Sequence, residues 1–217
     1  MGSAVIRKIG LTGGIASGKS RVAEMLSQML DCVHIDADEV CRQILEPHED
    51  GWQEFTRTFG SEYLDADGCI NRPLLRQDLF SDAGFREKVD RIIHPIVRNK
   101  IIVKMEHIIG SNDQSRVIVE VPLLYEVHWE NIFDAVVVVY AADEICLSRL
   151  MERDGIEEKV AAKEIESQWP LSEKAKKADY VIDNSGMLSE TEKQVKHLAE
   201  LMENNGKGSE KKLDSEK

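Results

Sequence analysis

Hydrophobic and polar positions follow two periods along this chain. Five short apolar runs read as strands: Val5–Leu11, Cys32–Asp36, Arg116–Val121, Asp134–Tyr140 and Tyr180–Asp183. Two of them, Arg116–Val121 and Asp134–Tyr140, are β-branched almost without interruption, as in strands covered on both faces, and this places them in the centre of a parallel sheet. Helical spacing dominates elsewhere. Val22, Ala23, Met25, Leu26, Met29 and Leu30 keep one apolar face at the spacing of a helix. From Val40 to Gly110 the pattern predicts helices over Val40–Leu45, Trp52–Phe59, Pro73–Phe80 and Phe85–Ile109, with no strand of the main sheet. Gly51, Asp65-Ala66-Asp67-Gly68 and Asp82-Ala83-Gly84 supply the breaks. A helix over Glu144–Glu152 is expected to start after Asp143 as its cap. The polar stretch from Ile156 to Lys177 is helical, is interrupted by Pro170, and has the character of a mobile cover and not of a core element. A closing helix spans Glu190–Met202.

The segment between the first strand and the first helix carries the strongest chemical signal. Gly13 is followed by Gly14, Ile15, Ala16 and Ser17, then by Gly18-Lys19-Ser20. Glycines let a backbone curl so that its N–H groups converge on phosphate oxygens. Lys19 can reach the β- and γ-phosphates as a compact cation, Ser20 can offer its hydroxyl to Mg²⁺, and the helix that follows presents its positive end. Strand, loop and helix come in the order this chemistry needs, so the chain is expected to bind a nucleoside triphosphate. The second strand ends in another candidate site, Asp36-Ala37-Asp38-Glu39, at a carboxyl end where open parallel sheets collect their chemistry. An acidic helix N-terminus would favour the same residues for the dipole alone.

Composition narrows the class. At 217 residues the chain can hold one sizeable α/β core with an insertion or lid. A formal net charge of −12 argues against a broad nucleic-acid surface, which would need clustered Lys and Arg, while leaving room for a local basic pocket. No apolar run approaches the length of a membrane span, and the first residues lack the pattern of a secretory leader, so a cytoplasmic location is expected. Cys32, Cys41, Cys69 and Cys146 are far apart, without the spacing of a zinc site or a disulfide framework, and read as reduced thiols. The segment from Asn204 to Lys217 has too little apolar surface to order itself and is expected to be a disordered tail.

Taken together, the motifs resemble those of the dephospho-coenzyme A kinase family nearly end to end. The landmarks are Leu11 to Ser20, Ile35-Asp36-Ala37-Asp38, Asn71-Arg72 with Leu75-Arg76, His94-Pro95, Pro122-Leu123-Leu124-Tyr125-Glu126, Arg149 to Asp154, Gln168, and Ala178 to Asn184. The phosphate loop is shared by many nucleotide enzymes, but the whole series is much narrower. The resemblance implies ATP-dependent phosphorylation of the ribose 3′-hydroxyl of dephospho-CoA, the last step of coenzyme A synthesis, with ATP and Mg²⁺. It also implies a P-loop nucleoside triphosphate hydrolase-type α/β fold with three layers and a parallel sheet. On that basis residues 1–39, 116–150 and 178–203 form the nucleotide-binding core, 40–115 a helical acceptor domain, 151–177 a lid and 204–217 the tail. The expected partner is the small molecule alone, without nucleic acid or membrane, and a monomer is favoured.

Site roles follow from the same resemblance. Gly13, Gly14, Ile15, Ala16, Ser17, Gly18, Lys19 and Ser20 would cradle the triphosphate, with Ser20 toward the metal. Asp38 looks like the family's catalytic carboxylate, and Asp36 is the competing choice because strand alternation alone cannot separate them. Arg149 and Arg153, four residues apart, resemble lid-side arginines whose planar forks hold phosphate oxygens. Arg72, ahead of Arg76, would supply positive charge to the acceptor or the reaction centre. Glu120 could hold Mg²⁺ through water, while His94 between isoleucines reads first as a packed structural residue. Two positions depart from the family pattern: Arg21 stands where Thr is common, and Glu164 stands where many members carry Arg, so lid contacts cannot be carried over. Rival readings are another small-molecule kinase with a nucleoside or shikimate-like acceptor, a nucleotide-controlled switch, and a non-catalytic nucleotide-binding module. The absence of an Asn-Lys-any-Asp base-reading segment speaks against a guanine switch.

Overall fold

A computed structural model describes residues 5–112 and 115–207. The chain forms two units: one is drawn from the N-terminal part up to Ile35 and from Met105 onward, and the other is Asp36–Lys104. In the first unit the strands β1 (Lys8–Gly13), β2 (Val33–Asp36), β3 (Val117–Glu120), β4 (Ala135–Tyr140) and β5 (Tyr180–Asp183) form one sheet in the order β2-β3-β1-β4-β5. β1 pairs in parallel with β3 and β4, and β4 in parallel with β5. The β-branched runs therefore flank the sheet's centre instead of occupying it. β1 takes the middle, and at Gly10 its backbone runs close to Phe133 and Leu124, whose side chains would lie 2.6 Å and 2.9 Å from any Cβ at that position.

β1 starts at Lys8 and not at Val5. The carboxylate of Asp134 sets that start, with Oδ2 accepting from the main-chain N–H of Arg7 (2.9 Å) and Lys8 (2.8 Å). Helices α1 (Lys19–Met29) and α9 (Leu188–Lys207) share one core with the sheet, in which Leu11, Leu26, Val137, Val195 and Met202 are inaccessible. Each such side chain contributes on the order of 1.5–3 kcal/mol relative to exposure. The tail expected from Asn204 begins within α9, and residues 208–217 lie outside the described residues.

Helix α6 (Asp143–Asp154) does not use Asp143 as its cap. Ala142 takes that place, its N–H donating to Ser185 Oγ at 3.0 Å, while Asp143 and Glu144 sit in the first turn, favourably placed for the helix dipole. Pro170 splits the next stretch into α7 (Glu158–Glu166) and α8 (Leu171–Lys177). Leu171 and Lys174 of α8 are buried, so this part of the expected cover supplies core side chains.

The second unit is helical: α2 (Ala37–Ile44), α3 (Asp50–Phe59), α4 (Arg72–Ser81) and most of α5 (Ala83–Ser111). Phe55, Phe59, Tyr63 and Phe85 pack ring against ring, with Phe59 centred 5.0 Å from Phe85 and 4.9 Å from Phe55. Pro95 lies inside α5.

Candidate active site

The loop after β1 ends by leaving the first N–H groups of α1 without a side-chain cap. Gly18, at the N-cap of α1, has φ +89°, and no side chain caps the helix; its first turn holds no acidic residue. Uncapped amides and an unopposed dipole make this end attractive to an anion. Other segments fix the loop from behind. Asn184 Nδ2 donates to Ser17 O at 2.8 Å, and Thr191 Oγ1 donates to Asn184 Oδ1 at 2.8 Å, so the buried amide is oriented at both ends. A Cβ on Gly18 would collide with Nδ2 of Asn184, and φ +89° disfavours any other residue. The Ile15 N–H donates to Gln168 Oε1 at 3.0 Å, and Lys19 Nζ donates to Gly14 O at 2.7 Å.

A cavity of about 260 Å³ opens over this helix end, lined by Ala16, Gly18, Lys19, Ser20, Arg21, Arg149 and Arg153. Four of the lining residues are cations and none is a carboxylate. The two arginines of α6 are held differently. Arg149 Nη2 donates to Asn184 O at 2.9 Å, and its buried Nη1 has no hydrogen-bond partner, leaving a donor for an incoming oxygen. Arg153 is forked onto its neighbour Asp154 at 2.7 Å and 2.8 Å, and this hydrogen bond raises the guanidinium pKa, with the charge of Glu164 adding to it.

Below the loop, Ser20 Oγ donates to Glu120 Oε1 at 2.9 Å, and His34 Nε2 lies 3.4 Å from Glu120 Oε2. Glu120, at the end of β3, is only 5% exposed. Burial acts to raise its pKa, but the hydrogen bonds from His34 and Ser20 and the charge of Lys19 outweigh it, and the net shift is downward. An ionised carboxylate behind a hydroxyl keeps the Ser20 proton turned away, so the Oγ lone pairs face outward. Among the described residues no group of three or more His, Cys, Asp or Glu could hold a metal on its own. One hydroxyl backed by a carboxylate is a hard-oxygen set suited to Mg²⁺ shared with phosphates and water.

In the helical unit, Asp36 is the N-cap of α2: its Oδ1 accepts from the N–H of Asp38 (2.8 Å) and Glu39 (3.4 Å). Asp38 stands in the first turn, exposed. Arg72 opens α4 and pairs with Glu46, Nη2 to Oε1 at 3.2 Å. Asp38 and Arg72 both act on Cys41, with opposite signs; burial is the larger influence and pushes that thiol up to about 11. Arg76 is turned elsewhere, its guanidinium 5.6 Å from the centre of the Phe80 ring. His94 Nε2 lies 3.5 Å from Asp90 Oδ1, one turn earlier in α5.

The first unit therefore brings together the phosphate loop, Arg149 and Arg153, and Asp38 and Arg72 both belong to the second, in the first turns of α2 and α4. Sequence reasoning assigned no role to Arg21 or His34, and named Asn184 and Gln168 only as landmarks. The partners of these last two lie 167 and 153 residues away, beyond any local pattern.

Comparison with known proteins agrees with this architecture. Residues 7–190 match the dephospho-CoA kinase family model. A dephospho-CoA kinase of Geobacillus kaustophilus is 43% identical over 187 residues, covering 86% of this chain and 92% of that protein. The crystal structure of a Thermus thermophilus protein superposes with a TM-score of 0.73 at 28% identity, covering 90% of this chain and 96% of the other. A dephospho-CoA kinase from Campylobacter jejuni gives 0.62 at 27% identity, covering 92% and 98%. With the family match spanning most of its length, the chain belongs to the dephospho-CoA kinase family.

Proposed function

We propose that this protein transfers the γ-phosphoryl group of ATP to the ribose 3′-hydroxyl of dephospho-CoA, giving coenzyme A and ADP. The observation that carries the reading is the cavity over the N-terminus of α1, lined by Lys19, Arg21, Arg149 and Arg153 without a competing carboxylate. Phosphoryl transfer asks little covalent chemistry of a protein; it asks for an in-line γ-phosphate, an oriented hydroxyl and positive charge where the loose transition state spreads its own.

In this reading the unengaged main-chain N–H groups between Gly13 and Ser20 and the dipole of α1 hold the β- and γ-phosphates, while the Ile15 N–H stays with Gln168. Lys19 exchanges its bond to Gly14 O for phosphate oxygens, and Arg149 presents its unpartnered Nη1. Arg153 must leave Asp154 to contribute, so its share is the smaller. Ser20, backed by Glu120, would hold Mg²⁺, which supplies charge neutralisation at the phosphates. Asp38 accepts the proton of the attacking hydroxyl. That assignment is supported by Asp36 being engaged as a cap, with Oδ1 taken up by two main-chain donors. Arg72 offsets negative charge on the acceptor side. The helical unit Asp36–Lys104 is read as the acceptor-binding domain and 151–177 as the lid. A cytoplasmic, single-chain enzyme completes the reading.

An ADP-release assay with MgATP tests it, offering dephospho-CoA, adenosine, pantetheine and shikimate in parallel. Turnover on dephospho-CoA alone is expected. ADP release that ignores the acceptor would point to a nucleotide-controlled switch, and turnover on shikimate or adenosine to a different small-molecule kinase.

A further inference from the structure

Lys174 is wholly inaccessible to solvent, in a stretch whose sequence is otherwise polar. Its Nζ lies 2.7 Å from Glu126 Oε1 and donates to Pro122 O at 3.2 Å. Lys174 is wholly buried and Glu126 partly so; taking a charge out of water is costly, and an apolar residue would fill the lysine's space with less penalty, so the pair is poorly explained by stability alone. What the pair provides is direction. Glu126 Oε1 also accepts from the main-chain N–H of Trp169 at 3.0 Å, and the preceding residue, Gln168, accepts from the Ile15 N–H through its Oε1 at 3.0 Å. Pro122 O receives a second hydrogen bond from Thr12 Oγ1 at 3.2 Å, two residues before Gly14. Leu171 completes the contact, its Cδ2 3.4 Å from where a Cβ on Gly14 would stand. Between these points lies a cavity of about 260 Å³ bordered by Gly14, Ile15, Cys146, Gln168 and Leu171.

We propose that the pair of buried Lys174 and partly buried Glu126 is a latch that sets the register of Gln168–Leu171 against the phosphate loop, and that Gln168 is the positioning residue through which the latch holds the Ile15 amide for transfer. The part of this concerning transfer rests on the function proposed above; the part concerning the loop does not. The latch gives a role to Pro122-Leu123-Leu124-Tyr125-Glu126 and to Gln168, two landmarks that the binding of phosphate does not itself use. A charged pair suits the task because its geometry is fixed by hydrogen bonds from both sides, whereas an apolar contact would let the segment slide.

The test uses the full chain with Gln168→Ala, Lys174→Met and the double variant. Three quantities are read: hydrogen exchange of the Ile15 amide without nucleotide, kcat and KM for ATP with dephospho-CoA, and thermal unfolding. The latch predicts that Gln168→Ala speeds Ile15 exchange and lowers kcat, each about tenfold, with a much smaller change in the unfolding midpoint. Lys174→Met should reproduce both effects, and the double variant should be no worse than the more severe single one, because both act through one contact. Gln168→Glu, which keeps an acceptor oxygen, should retain the exchange protection. Should Lys174→Met fail to fold, Gln168→Ala and Gln168→Glu still decide. Wild-type exchange and kcat in Gln168→Ala, a Lys174→Met that lowers only the unfolding midpoint, or losses that multiply in the double variant would overturn the latch. If the wild-type chain does not turn over dephospho-CoA, the functional reading fails, and the exchange measurement still answers for the latch.

Discussion

Ser20 and Glu120 are joined by a 2.9 Å hydrogen bond that ties the first turn of α1 to the end of β3. The hydroxyl donates, the carboxylate accepts, and His34 holds the second carboxylate oxygen from the other side. Glu120→Gln keeps the shape and removes the charge that fixes the hydroxyl's direction. Outer partners of metal ligands are typically worth about 10–100-fold in affinity or activity. Turnover measured against free Mg²⁺ at saturating ATP should therefore shift to at least about tenfold higher Mg²⁺. An unchanged Mg²⁺ curve would remove Glu120 from the site.

The same carboxylate makes stability depend on pH. Its pKa is lower in the folded chain than in the unfolded one, so ionised Glu120 stabilises the fold fully above the ordinary glutamate range. That contribution is lost as pH falls through the depressed native value. Urea unfolding followed from neutral pH into the acid range should show a steeper loss for the wild type than for Glu120→Gln. Parallel pH curves for the two proteins would contradict this.

Asn184 holds the phosphate loop by one hydrogen bond and is itself held by Thr191. Asn184→Ala orphans a buried hydroxyl and a carbonyl, at a cost of about 1–3 kcal/mol in stability. ATP affinity should fall with it, since Ser17 O loses its anchor. Calorimetric unfolding together with ATP titration checks both. Gly18→Ala, forcing a Cβ into Asn184 at φ +89°, should damage ATP binding more severely still.

Local and distant features were not equally readable from the sequence. The phosphate loop was legible because its chemistry is contiguous: Gly13 to Ser20 carry their own turn, cation and hydroxyl. Tyr180–Asp183 was placed to the residue, because a short β-branched run between turn signals has few alternatives. Asp143 misled, since an acidic residue in the first turn resembles a cap; the cap is Ala142, whose carbonyl accepts from the Ile145 and Cys146 N–H and whose own N–H is held by Ser185, far along the chain. Lys174 was read as part of a solvated cover because nothing local distinguishes a buried lysine from an exposed one; its partner is 48 residues upstream at Glu126. That Asp36 caps α2 likewise shows in the geometry and not in the pattern.

The choice between Asp36 and Asp38 as the base yields a discriminating pair of variants. Asn caps a helix as well as Asp does, so Asp36→Asn should leave folding and turnover near wild type. Asp38→Asn cannot accept a proton, and should lower kcat by about 100-fold or more while ATP affinity is kept. Steady-state kinetics and ATP titration on both proteins check this. The reverse result would make Asp36 the base.

On the proposed reading, Lys19→Ala removes the cation that would follow the charge of the β- and γ-phosphates into the transition state. Its loss in kcat/KM should amount to about 3 kcal/mol or more, with cooperative unfolding preserved. Arg149→Ala should be more damaging than Arg153→Ala, because Arg149 is already oriented by Asn184 O while Arg153 is engaged by Asp154.

The most direct measurement is the identity of the phosphorylated product. Wild-type protein is incubated with MgATP and dephospho-CoA, and the acceptor is followed by phosphorus NMR as ADP accumulates. One new phosphomonoester on the ribose 3′-oxygen, formed in step with ADP, is the expected result. ADP formed together with free inorganic phosphate and an unmodified acceptor would contradict transfer to dephospho-CoA.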